Sequence, residues 1–145
     1  MSHHLVVRVI AKLLIPFIIL YALYVQFHGD FGPGGGFQAG VIFASAFVLY
    51  ALVYGLEAAQ KVLPETALRV GIALGLLIYG GTGVLAMILG GEFLNYSTLA
   101  HDSAHGQHYG IFAIEFGVGL TVAAVMASIF FNFAGRGENL DEKEE

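Results

Sequence analysis

Four long apolar stretches, parted by short polar or glycine-rich breaks, run along this chain. The first covers about residues 5–27; its only charges, Arg8 and Lys12, lie one turn apart near its start. The second covers about 37–56, the third about 68–89 and the fourth about 111–134. Each is close to the ~20 residues that cross a hydrocarbon core ~30 Å thick. Lipid offers no water to satisfy backbone N–H and C=O groups, so runs of this length are predicted to be helices. The pattern therefore predicts an all-α, polytopic membrane protein with four transmembrane helices. Residues 1–135 are expected to form one transmembrane domain, followed by an acidic tail over 136–145. The first run starts with basic residues, as a signal peptide does. No small-x-small cleavage site follows it and three more spans do, so a retained helix is expected.

Composition agrees. Apolar residues make up 57% of the 145 and charged residues 12%, against roughly 25% charged in ordinary soluble chains. So few charges do not cover the surface of a small soluble protein. The chain has no cysteine, which removes disulfides, thiolate metal sites and iron–sulfur ligation. The net charge of −5 is concentrated at the end, where Glu138, Asp141, Glu142, Glu144 and Glu145 form a solvated tail. No basic patch points to nucleic acid.

The basic residues set an expected orientation. They are Arg8, Lys12, Lys61, Arg69, Arg136 and Lys143; the first connection (28–36) and the third (90–110) contain none. The positive-inside rule then places both termini in the cytoplasm. The second connection, residues 57–67, is expected to be a short cytoplasmic turn broken by Pro64. Pro16 lies inside the first span and predicts a kink near residues 14–17. Small residues recur four apart as Gly36/Gly40/Ala44, Gly71/Gly75 and Gly119/Ala123/Ala127. In lipid such ladders allow helices to approach closely.

The stretch GPGGGFQAG, residues 32–40, fits G-x-G-x-x-A by accident. A dinucleotide fingerprint needs a strand before it and a soluble helix after it, and here both neighbours are membrane spans. Gly34, Gly35 and Gly36 together resist helix, and Pro33 restricts Gly32. An irregular cap at the outer end of the second span is expected. It either forms a tight turn whose glycines admit the backbone of another subunit, or takes part in an ion path through its free N–H groups. His28 and Asp30 stand beside it as titratable or hydrogen-bonding groups. Glu115 is the one acid inside any span, five residues into the fourth. A carboxylate there must find a partner, reach water or stay protonated, which marks either an ion or proton path or a hydrogen bond between helices or subunits. His101, His105 and His108 would share a helix face, but Gly106 weakens a helix there, so solvated histidines are expected and no metal site. Nothing resembles a catalytic or redox motif.

His28 to Gly40, HGDFGPGGGFQAG, resembles the signature of the MnhB/MrpB-like subunits of multisubunit sodium/proton antiporters. His108-Tyr109-Gly110 and Ile114-Glu115-Phe116-Gly117-Val118 resemble that family's H-x-G and I-E-x-G-V stretch. Carried over by position, the motif covers His28, Pro33, Gly34, Gly35, Gly36, Phe37, Gly40, His108, Gly110, Glu115 and Gly117. Ala39 and Phe116 depart mildly from it. The resemblance implies a non-pumping membrane subunit, without cofactors, of a complex that exchanges cytoplasmic Na+ for external H+ in a bacterial or archaeal plasma membrane. Its partners would be the other subunits, including pumping subunits like those of respiratory complex I. Glu115, His28, Asp30 and His108 are the candidates for the ion path. Alternatives are the equivalent subunit of a membrane-bound hydrogenase or related ion-pumping oxidoreductase, and a purely structural assembly subunit.

Overall fold

The computed structural model describes residues 2–29, 35–100 and 102–141. Asp30, Pro33, Gly34 and His101 therefore lie outside the described residues. The elements are α1 (Ser2–His28), α2 (Gly36–Tyr54), α3 (Leu56–Val62), α4 (Glu65–Ile88), a single 3-10 turn (Tyr96–Leu99) and α5 (Ser103–Asp141). α1, α2, α4 and α5 are each long and apolar enough to cross a membrane. α1 runs unbroken through Pro16.

Several boundaries differ from the hydropathy pattern, and α5 runs past residue 134 to Asp141. α2 stops at Tyr54 because Gly55 takes φ 93, a left-handed conformation that ends the helix. The second connection is not a plain turn. Leu56 and Ala59 bury one face of the short helix α3 against the bundle, and Pro64 then caps α4. α5 begins eight residues before its apolar run. Asp102 caps it, its Oδ1 accepting from the Ala104 N–H at 3.3 Å and its carbonyl from the Gly106 N–H at 2.9 Å. Gly106 does not break the helix, and the Tyr96 carbonyl occupies the place of its missing side chain.

α5 is the central helix. α2 and α4 pack along its two flanks, while α1 packs on α2 and scarcely reaches α5. Gly36 lies opposite Glu115 and Gly40 opposite Gly119, so α2 and α5 run parallel. Gly71 lies opposite Ala124 and Gly75 opposite Thr121, so α4 and α5 run antiparallel. The start of α1 meets the end of α2, where the Tyr54 hydroxyl donates to the Arg8 carbonyl at 2.9 Å. The interior is built mainly of small residues, among them Ala39, Ala44, Ala46, Ala86, Ala124 and Ala127, and most large side chains point outward. That inversion suits lipid, where close backbone packing holds helices together.

All three ladders serve this packing, but the backbone that approaches Gly36 and Gly40 is the chain's own α5. For Gly36 this is a contact within the chain, while Gly34 of the same glycine run lies outside the described residues. On α4 the ladder has a sharp limit. A Cβ on Gly75 would run into the Thr121 hydroxyl and stand 2.6 Å from the Gly117 carbonyl, whereas around Gly80 nothing lies within 4 Å. Gly75→Ala should lower the unfolding midpoint of the purified chain in detergent, at a cost of ~1–3 kcal/mol. Gly80→Ala should leave it level or raise it, by at most ~1 kcal/mol from helix propensity. SDS titration followed by circular dichroism separates the two.

Candidate functional site

Glu115 gathers the site around itself. Side chains on an α-helix lean toward its N-terminus, so Glu115 reaches back along α5 to the place where the chain leaves α1 and enters α2. Its carboxylate fills the space beside two glycines. A Cβ on Gly29 would stand 2.7 Å from Oε2, and one on Gly35 would stand 3.4 Å from Oε1. Gly35 caps α2 with φ 132, a conformation that side chains rarely adopt, and its carbonyl accepts the first helical bond from Ala39 at 3.0 Å. Gly36 brings the α2 backbone against the Glu115 carbonyl, and Gly40 does the same one turn on, where a Cβ would lie 2.6 Å from the Gly119 carbonyl. The two halves of the sequence motif, far apart along the chain, are thus one structural unit. Although Glu115 is well inside α5, it is level with the end of α1 and the start of α2, and it is half-buried.

The other candidate residues divide by position. His28 closes α1, half-buried, with its ring stacked on Tyr24 at 5.0 Å between centroids. Phe37 points outward. His108 is exposed and lies on the Glu115 face of α5, but two turns, or about 10 Å, away along the axis. His105 pairs with Asp102 at 2.9 Å on the exposed first turn of α5. Gly117 turns to the opposite flank, where a Cβ would meet the Gly75 carbonyl at 2.9 Å. Gly110 receives the ring of Tyr96. Within the carboxyl motif, then, Glu115 faces α1 and α2 while Gly117 holds α4.

Gly29, Gly119 and Gln26 also belong to this unit, and none of them is among the positions carried over from the family motif. Gly119 is visible in the sequence only as a ladder position. Gln26 has a signal of its own, as a lone amide in the uncharged part of the first span.

The third connection docks on α5 just beyond the site. Tyr96 packs over Gly106 and Gly110, and the Gln107 amide donates to the Ser97 hydroxyl at 3.0 Å. Burial, and secondarily the neighbouring Tyr79, hold the Tyr96 phenol above the ordinary tyrosine value. The packed state therefore keeps its proton longer than the undocked state. Docking should be constant below pH ~10 and weaken as pH climbs from there through the raised value. The protection of the amides over 96–99, relative to their intrinsic base-catalysed exchange, should fall above that point, and Tyr96→Phe should remove that fall.

A bundle of four helices long and apolar enough to cross a membrane, with a carboxylate seated in a glycine cradle at the mouth of its central helices, defines a multi-pass membrane protein. A family model described as "Domain related to MnhB subunit of Na+/H+ antiporter" matches residues 6–128, which include both halves of the site. The Staphylococcus aureus strain Newman protein named "Putative antiporter subunit mnhB2" is 31% identical over 137 residues, covering 92% of this chain and 96% of that one. The same figures hold for its counterparts in strains COL and NCTC 8325 / PS 47. The chain belongs to the MnhB family, whose members are transporter subunits and not enzymes.

Proposed function

We propose that this chain is a non-pumping membrane subunit of a multisubunit Na+/H+ antiporter, needed for assembly, which contributes Glu115 to the path of cations or protons. The carrying observation is the carboxylate of Glu115 between Gly29 and Gly35. It is the one acid within the apolar part of α5, and it lies level with the end of α1 and the start of α2. By default an ionisable group so placed takes part in ion or proton movement. The basic-residue asymmetry puts this mouth on the external side and the acidic tail in the cytoplasm of a cell bounded by the plasma membrane. In exchange of cytoplasmic Na+ for external H+, Glu115 then stands where protons enter. His28 at the end of α1, with Asp30 and His108 nearby in sequence or on the same face, supplies further titratable groups along the approach. The partners are the complex's other subunits, including large pumping ones. The names of the mnhB2 relatives favour an antiporter over a hydrogenase-type assembly. Antiport by everted vesicles carrying Glu115→Gln, with assembly checked on a native gel, tests the role. Unchanged exchange by an intact complex removes Glu115 from the path.

A second reading, in which the chain acts only through assembly, draws on the backbone contacts at Gly36 and Gly40. Under it, activity falls only in step with the amount of complex.

A further inference from the structure

One turn deeper than Glu115, a cavity of about 230 Å³ lies between α1, α2 and α5. It exists because α1 packs on α2 and scarcely touches α5, while Ala22, Ala39, Gly40, Gly119 and Ala123 leave the space between them unfilled. Its walls are almost wholly apolar, and the one amide in them is that of Gln26. Gln26 is only 7% exposed. Its Oε1 rests against Gly119, and its buried Nε2 donates to nothing among the described residues. A buried amide N–H without an acceptor costs ~1–3 kcal/mol, so an unpaired donor in such a wall calls for an acceptor. The terminal amide torsion is soft, and a modest turn presents the N–H to the cavity.

We propose that this cavity holds one acyl chain of a membrane phospholipid, whose ester carbonyl accepts from Gln26 Nε2. Size and polarity both favour that occupant. One turn of helix, about 10 Å wide and 5.4 Å long, fills roughly 400 Å³ and exceeds this cavity, whereas the upper segment of a single extended hydrocarbon chain fits it, with the rest of the chain lying outside. Gln26 is two residues, or about 3 Å, from the end of α1, near the edge of the hydrocarbon layer where lipid esters begin. Leu23, Ala22, Phe43 and Ala123 continue the wall inward with carbon alone. The order, polar at the boundary and apolar below, is that of the lipid itself. A chain seated there keeps water out of the seam beneath Glu115, but its binding does not depend on any role of Glu115 in antiport.

The test is lipid retention by the purified complex, read by native mass spectrometry. The complex is equilibrated with vesicles of diester phosphatidylglycerol and its diether analogue in equal amounts, then washed in detergent. The diether lacks the carbonyls but has the same chains and headgroup. The expected result is one diester lipid kept per copy of this chain, at least fivefold over the diether. Gln26→Leu should abolish the preference, and Ala123→Leu, which fills the cavity, should abolish retention. Equal retention of the two lipids, no retention, or a preference unchanged in Gln26→Leu overturns the proposal. Equal retention of the two lipids by the unaltered complex overturns the proposal even if a variant does not assemble.

Discussion

Gly36→Leu should remove this protein, and with it the assembled complex, from the membrane. The space for a side chain at Gly36 is already occupied by main chain. A Cβ there would overlap the Glu115 carbonyl oxygen and stand 2.9 Å from its carbon and 3.0 Å from the Gly119 nitrogen. Flexible side chains turn aside at small cost, but these atoms belong to the hydrogen-bonded backbone of α5. Relief requires α2 and α5 to separate along their length. Ordinary overpacking costs ~1–3 kcal/mol, and separation would add the loss of the Gly40 contact one turn away. Since a domain's whole stability is only ~5–15 kcal/mol, the helix pair should not persist. The measurement is the amount of complex on a native gel, with Gly80→Ala as the control that changes a glycine of α4 with open space around it. Gly36→Ala, which carries the same Cβ with nothing beyond it, should be intermediate. Normal assembly of Gly36→Leu would mean that α2 and α5 do not pack as described.

The four spans are legible in the sequence because lipid forces the simplest code a sequence carries, long apolar runs between breaks. Their ends are not, since local chemistry decides them. Gly55 stops α2 by its own conformation, inside a run that hydropathy alone continues. Asp102 and Tyr96 extend α5 across residues that hydropathy assigns to a loop. The motif residues are legible as a pattern. That Gly29, Gly35 and Gly36 form a seat for Glu115 depends on a contact between distant parts of the chain, which no local signal encodes. The same holds for the ladders. Spacing identifies Gly36 and Gly40 as packing positions, but only the tertiary fold shows that α5, and not a foreign chain, fills them. Gln26 stands out in the sequence as a lone amide in an apolar span, but that alone does not mark a site. Burial without a partner is what distinguishes it, and burial is not a property of sequence.

Glu115→Gln should lower Na+/H+ exchange about tenfold or more, the effect of losing one interaction with a charged group at ~1.5–3 kcal/mol. Glutamine keeps the length and nearly the volume of glutamate, so the seat between Gly29 and Gly35 stays filled and assembly should be preserved. What it lacks is the ability to take up and release a proton or to hold a cation. Glu115→Asp keeps that ability but draws the carboxylate back by one methylene, away from Gly29, where Oε2 lies closest. Aspartate should therefore restore part of the exchange that glutamine loses. A residue needed only for packing predicts the opposite order, because glutamine is the better shape match and aspartate leaves a gap. The two variants, assayed in everted vesicles at equal amounts of complex, thus separate ionisation from packing. Gly29→Ala gives an independent approach to the same carboxylate. Its methyl group displaces the carboxylate without altering Glu115, and it should reduce exchange while the helices, whose contact lies at Gly36 and Gly40, remain together.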